Sequence, residues 1–330
     1  MAFEAFHRGA FVIDAHADLL MDVRARRRPD VFGACERGVL RTRHLPALRA
    51  GGVDAVVFAL FAEPHLREGT LRETLLMVDD LRQEIAESEG GLYLARTAGD
   101  LAADAPAGAV AALLSLEGTE AVAGDLGILR LLHEVGLRAV GLTHFGRTMA
   151  ADGTGEEEAG GGLTRFGRAL VRECDRLGIM VDVSHLSERG FWDVLGLAGG
   201  PVIASHSNAR ALCDHPRNLT DEQLRAIARS GGAVGLNACR IFVDPLAPTL
   251  DRLLDHAAHM HGIMGPGHVG LGLDLVEYLP GWSGTAVPDL AEPAQVPEIT
   301  RRLLGRGAST GEVAGILGEN WLRVWRAVLR

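Results

Sequence analysis

Short apolar runs recur along the chain at the spacing of a repeated strand and helix. Eight stand out, at residues 10–16, 53–61, 110–117, 139–144, 179–185, 202–206, 233–237 and 269–274. They are continuous rather than alternating, which is how strands buried on both faces of a parallel sheet read. Stretches with apolar residues three and four apart lie between them, at 71–88, 166–177, 221–230 and 250–261. That period belongs to a helix with one buried face. Gly-Gly pairs at 51–52, 199–200 and 231–232 mark the return into the next run. Eight strand–helix units predict an α/β fold, a (β/α)8 TIM barrel. The alternative is an open doubly wound sheet, but no dinucleotide fingerprint follows the first run. Gly265, Gly267 and Gly270 have the GxGxxG spacing, yet they precede a run instead of following one.

With 330 residues, the chain suits one barrel of ~250 residues with insertions, so a single domain over 1–330 is expected. Aromatic residues make up 5% and hydrophobic residues 47%, so Val, Leu, Ile and Ala must fill the core. The net charge of −10 argues against a nucleic-acid partner. Every basic side chain is Arg, because the sequence contains no Lys. This excludes a Schiff-base lysine, a lysine phosphate loop and a carboxylated lysine bridging two metals. Cys35, Cys174, Cys213 and Cys239 form no CxxC pair, which suggests free thiols and no zinc-thiolate site. No basic flank precedes an apolar leader, and no run reaches the ~18 apolar residues of a membrane span. A soluble, cytoplasmic protein is expected. Two irregular segments, the acidic and glycine-rich 151–162 and the Trp282-containing 277–297, read as a mobile loop and a rim, or as solvated insertions.

Six runs end at residues able to bind a metal or move a proton: His16 with Asp18, then Glu117, His144, His185, His206 and Asp274. In a barrel these ends converge on one face, where catalysis takes place. One such histidine would most often be structural. Four histidines with three carboxylates are harder to explain by packing, since buried ionisable groups are costly unless paired or metal-bound. His16 and Asp18 are two residues apart, which in a strand puts both side chains on one face, ~7 Å apart. Asp14 shares that parity and reads as a supporting carboxylate. His185 and His206 offer neutral nitrogen ligands to a borderline cation. Without a lysine, Glu117 is the natural bridge between two metals ~3.5–4 Å apart.

The remaining histidines carry less. His256, His259 and His261 have HxxH spacing without the Glu of HExxH, so a solvated helix face is expected. His7, His44, His65, His133, His215 and His268 have no converging partners. No GxSxG elbow is present, and Cys239 reads as a small buried residue rather than a nucleophile.

Taken together, the chain resembles the membrane (renal) dipeptidases, metallopeptidases of the amidohydrolase superfamily. The resemblance rests on IDAHADL (13–19), SLEG (115–118), LTH (142–144), GLTRFG (162–167), LGIMVDVSHLS (177–187), SHSNARALCDHPRN (205–218) and VGLGLD (269–274). It implies two zinc ions per chain. His16, Asp18 and Glu117 would hold one, and Glu117, His185 and His206 the other, with a water or hydroxide as second bridge. It further implies that Arg217 binds the substrate's terminal carboxylate and that His144 faces the scissile carbonyl. Asp274 would manage protons. The implied reaction is hydrolysis of L,L-dipeptides and of L,D-dipeptides. A homodimer is compatible with the resemblance, but no interface is legible. Two departures stand out: Asp274 is followed by Leu275-Val276-Glu277 where the family has D-F-D-G-like residues, and Asn237-Ala238-Cys239 replaces N-F-Y. Both bear on side-chain preference more than on the metal ligands. The competing readings are another amidohydrolase-type hydrolase or deaminase on a non-peptide substrate, and a non-catalytic metal-dependent binding protein. These ligands would accept zinc, cobalt or manganese.

Overall fold

A computed structural model describes residues 2–28, 35–63, 69–101 and 108–329; His65 lies outside them. Among the described residues nine strands form one parallel sheet: β1 Ile13–Ala17, β2 Ala55–Leu60, β3 Leu92–Leu94, β4 Val110–Glu117, β5 Leu137–Gly141, β6 Met180–Asp182, β7 Val202–Ile203, β8 Val234–Leu236 and β9 Val269–Leu271. Eight follow the order β7-β6-β5-β4-β2-β1-β9-β8, and β3 pairs on β4 off this path. A parallel bridge between Ala204 and Val234 joins the two ends, with the Gly235 amide donating to the Ala204 carbonyl at 2.8 Å. The expected (β/α)8 barrel is therefore the fold, and each of the eight apolar runs supplies one barrel strand. Only the short β3 has no counterpart among them.

The intervening helices fall where the period places them, at Thr70–Glu87, Arg165–Leu177, Asp221–Arg229 and Leu250–Met264. The last three of these start at side-chain caps. Thr164 accepts from the Gly167 amide, and Thr220 and Gln223 form a reciprocal capping box. The outward strand residues Val56, Phe58, Leu60, Leu114 and Leu116 belong to the core shared with these helices.

Inside the barrel, Ile13, Ala15, Val57, Leu113 and Met180 pack with Trp321 and Trp325 of the helix Asn320–Val328. At Gly270 the inward position has no side chain, which admits an indole. A Cβ on Gly270 would lie 2.2 Å from Trp321 Nε1, which donates to the Leu271 carbonyl at 2.9 Å. The tryptophans plug the end where the strands begin, leaving polar side chains for the end where they finish.

Three expectations need correction. His256 is not on a solvated face: it is 1% exposed, its Nδ1 accepts from the Ala209 amide at 3.1 Å, and its Nε2 donates to the Val243 carbonyl at 2.9 Å. Two backbone groups of neighbouring loops thereby gain a partner. His259 and His261 are half-exposed and pair with Asp221 and Glu312. The segment 151–162 is anchored, since Ala151, Asp152 and Thr154 are buried, Gly153 bridges Leu186, and Arg147 grips Asp152 at 2.5 Å. Cys239 is half-buried rather than buried, and all four cysteines are free. Among the described residues no helix is long and apolar enough to cross a membrane.

Candidate active site

The strand ends bring His16, Asp18, Glu117, His144, His185, His206 and Asp274 to one face of the barrel, and the loop after β7 adds Arg217. Glu117 lies at the centre. Its Oε2 is 3.6 Å from His16 Nε2, while its Oε1 is 3.1 Å from His185 Nε2 and 3.7 Å from His206 Nε2. His16 Nε2 is also 3.6 Å from Asp18 Oδ2 and 3.8 Å from Asp274 Oδ1. Asp18 reaches this point differently from the sequence expectation. It lies beyond β1, at the N-cap of the helix Leu19–Arg27, and the β1–β2 register shifts between Asp14 and Ala17. The turn and the bulge, not strand parity, bring the two side chains together.

Backbone geometry re-aims two more of these residues. His185 has φ 67° and Asp274 φ 56°, left-handed conformations that are costly for residues other than glycine. The His185 carbonyl is held by the Thr154 amide at 2.8 Å and by Thr143 Oγ1 at 3.2 Å.

The electrostatics are those of a crowded, buried donor set. Burial pushes the Glu117 carboxyl up to about 8, and Asp18 and Asp274 add to the rise. Burial likewise raises the Asp274 carboxyl and holds His185 and His206 well below the usual imidazole value. His16 goes the other way. Burial opposes its charge, but Glu117 and Asp18 hold it well above that value. His144 is lowered to about 4, first by burial and then by Arg217, so it is neutral near pH 7.

This set fits divalent cations. The Nε2 atoms of His185 and His206 lie 2.8 Å apart, both directed at the same carboxylate, and Asp18 Oδ1 is buried without a hydrogen-bond partner among the described residues. Ligand atoms of His16, Glu117 and His206 lie within 4.8 Å of one another, as do those of Glu117, His144 and His185, and of His16, Asp18 and Asp274. Imidazole and carboxylate donors of this kind suit zinc and similar metals.

Supporting residues escaped the sequence reading. His206 Nδ1 meets Ser205 Oγ at 2.7 Å, and Ser205 donates to Asp182 Oδ2 at 2.5 Å. Asp182 Oδ1 accepts the Ser184 and Ser205 amides. A carboxylate in the middle of the apolar run MVDV was the available signal. Asn237 Nδ2 donates to Asp274 Oδ2 at 3.0 Å, leaving Oδ1 facing His16. Asp14 acts as the expected support: its Oδ1 accepts from the Leu273 amide at 2.8 Å.

Arg217 is 6% exposed. Its Nη2 donates to the His206 carbonyl at 3.1 Å, its Nη1 reaches Ser207 Oγ at 3.5 Å, and the guanidinium lies 5.5 Å from the Phe242 ring centre. Burial holds its pKa below the usual arginine value. Among the described residues none presents a carboxylate within 4 Å of it.

The sequence profile described as membrane dipeptidase (peptidase family M19) matches residues 1–330. A protein named dipeptidase verJ from Clonostachys rogersoniana is 34% identical over 331 residues, spanning 96% of this chain and 84% of its own length. A crystal structure described as a dipeptidase of that family superposes with a TM-score of 0.86 at 30% identity, covering 97% of this chain and 99% of that one. A metallopeptidase from Rhodobacter sphaeroides, solved with a phosphinate mimic of the dipeptide L-Ala-D-Ala, gives 0.85 at 29% identity, with the same coverage.

Proposed function

The chain belongs to the membrane dipeptidase family, peptidase family M19, and on that premise we propose that it hydrolyses dipeptides with two zinc ions held by His16, Asp18, Glu117, His185 and His206. The observation that carries this reading is the two-sided environment of Glu117, one oxygen toward His16 and the other toward His185 and His206. A carboxylate so placed can serve two cations at once. The apolar core shared along the whole barrel supports a single domain over 1–330, and four free thiols are consistent with a cytoplasmic protein.

When bound, such cations polarise a carbonyl and lower the pKa of water toward ~7. The chain's own groups do the rest. Arg217, buried with no carboxylate within 4 Å among the described residues, receives the substrate's free carboxylate and fixes which peptide bond reaches the site. Neutral His144 donates one N–H to the carbonyl oxygen as negative charge develops there, a role that typically contributes ~3 kcal/mol. Asp274, held through one oxygen by Asn237, takes a proton from the attacking water on the other. It returns that proton to the amine nitrogen as the C–N bond breaks. The relative solved with a mimic of L-Ala-D-Ala supports a D-residue at the C-terminal position.

Metal content and turnover measured on one preparation test the reading. Wild type should carry about two cations per chain and hydrolyse L-Ala-L-Ala or L-Ala-D-Ala. Glu117→Gln should lose both metal and turnover while remaining folded. One cation per chain with deamination of a heterocycle would replace the proposal with a deaminase. Bound metal without dipeptide turnover would replace it with a binding protein.

A further inference from the structure

Beside the site runs a narrow polar crevice, walled by Thr154, Glu157, His185, Arg217, Asn218 and Gln223, with about 10 Å3 of open space. That is room for the centre of one water molecule and too little for a carboxylate. Four of these wall residues each carry a buried side-chain atom without a hydrogen-bond partner among the described residues: Thr154 Oγ1, His185 Nδ1, Arg217 Nε and Asn218 Oδ1. Buried polar atoms are almost always satisfied, so four of them on residues lining one small space point to a shared partner.

Their chemistry specifies that partner. His185 turns Nε2 toward Glu117; if that nitrogen serves a cation, as proposed above, the ring proton sits on Nδ1, which becomes a donor. Arg217 Nε is always a donor. Asn218 Oδ1 is an acceptor, because the same amide spends its Nδ2 on the Cys213 and Phe242 carbonyls. The Thr154 hydroxyl can accept. Two donors and two acceptors are what one water matches, with two lone pairs and two hydrogens; a cation would meet two donors, and an anion two acceptors. The His144 backbone approaches the His185 ring, but Nδ1 has no partner within hydrogen-bond geometry.

We propose that this crevice binds a single water molecule, held by His185 Nδ1, Arg217 Nε, Thr154 Oγ1 and Asn218 Oδ1, and that Thr154 is through it a positioning residue. The water ties a metal-facing histidine to the arginine that receives the substrate. It holds the guanidinium by its Nε edge and orients the Nη groups. Thr154 is fixed to the same histidine by its own amide, 2.8 Å from the His185 carbonyl.

The test compares wild type with Thr154→Val, which keeps the shape and removes the hydroxyl, and Thr154→Ser, which restores it. A crystal structure of wild type, metal-free or metal-loaded, should show one oxygen within about 3.2 Å of the four atoms. In chelator competition, T154V should bind Zn2+ about ten-fold more weakly, with T154S at the wild-type value. T154V should also raise KM for a dipeptide but not for the same dipeptide amide, which lacks the carboxylate. A crevice without the oxygen, or His185 Nδ1 bonded instead to the His144 carbonyl, overturns the proposal, as does T154V matching T154S in zinc affinity. If T154V does not fold, the wild-type crystal structure decides alone. Wild type that binds no zinc would refute the metal centre, and the water would still stand or fall by its density.

Discussion

Replacing Arg217 with methionine should cost function heavily and stability hardly at all. A guanidinium that meets a carboxylate side by side makes two charge-assisted hydrogen bonds, worth about 1.5–3 kcal/mol each. Losing about 3–5 kcal/mol of transition-state binding corresponds to roughly a 150- to 5,000-fold fall in kcat/KM. The folded protein loses much less. Arg217 has a carbonyl at 3.1 Å, a hydroxyl at 3.5 Å and an aromatic face, but no carboxylate within ion-pairing range among the described residues. Those contacts, about 2–3 kcal/mol together, are offset by relief of the several kcal/mol that burying a cation costs. The midpoint of thermal unfolding should therefore move by less than about 3 °C. The assay is kcat/KM for L-Ala-L-Ala against its C-terminal amide. Wild type should discriminate strongly, and Arg217→Met should accept both equally poorly. Retained discrimination would show that another group holds the carboxylate. A fall of more than about 5 °C in Tm would show that the arginine serves the fold.

Ser205→Ala cuts the chain from Asp182 to His206, and zinc affinity by chelator competition should fall by about 10- to 100-fold; unchanged affinity would make that chain ornamental to the metal. Gly270→Ala would put a Cβ 2.2 Å from Trp321 Nε1, so Tm should drop as expected for about 1–3 kcal/mol of overpacking, and an unchanged Tm would mean the plug is loosely fitted. Burial, with Asp274 nearby, pushes the Cys239 thiol up to about 11, and only the thiolate reacts. At pH 8 iodoacetamide should label the exposed Cys35 and leave Cys239 almost untouched, with labelling of Cys239 rising as pH approaches 11; equal labelling at pH 8, read by mass spectrometry, would show that its surroundings are not apolar.

The barrel was legible because its signals are redundant. Eight apolar runs and the helical stretches between them agree on one architecture, and no single run has to be read correctly. β3 is only three residues long and offers no period to recognise. The residue types of the site were legible because His and Asp at strand ends conflict with the apolar filling around them. What was not legible depends on contacts between distant segments. His256 looks like part of a hydrophilic stripe until Ala209 and Val243 are seen to need partners. The segment 151–162 has the composition of a mobile loop, and it is contacts with distant residues that hold it down, among them the bridge to Leu186, the Thr154 amide on the His185 carbonyl and the Arg147–Asp152 pair.

The site's geometry could not have been read from strand parity, because the site is built where parity fails. Ile13 and Ala15 face the tryptophan plug, so a regular strand would turn His16 away; the register shift between Asp14 and Ala17 brings it back. Met180 faces the same plug and Asp182 shares its side, which would leave His185 on the wrong face without its left-handed backbone. Such departures cost about 1–3 kcal/mol each and persist only where the surroundings over-determine them. Here Thr143 and Thr154 pin the His185 carbonyl, and the Asp274 amide reaches the His16 carbonyl at 3.3 Å. A barrel with regular strands throughout would be easier to fold, yet it could not aim two out-of-phase histidines at one carboxylate. The closely packed floor around Trp321 and Trp325 lies at the opposite end from the mouth, so its stability can offset that strain without constraining the geometry of the site.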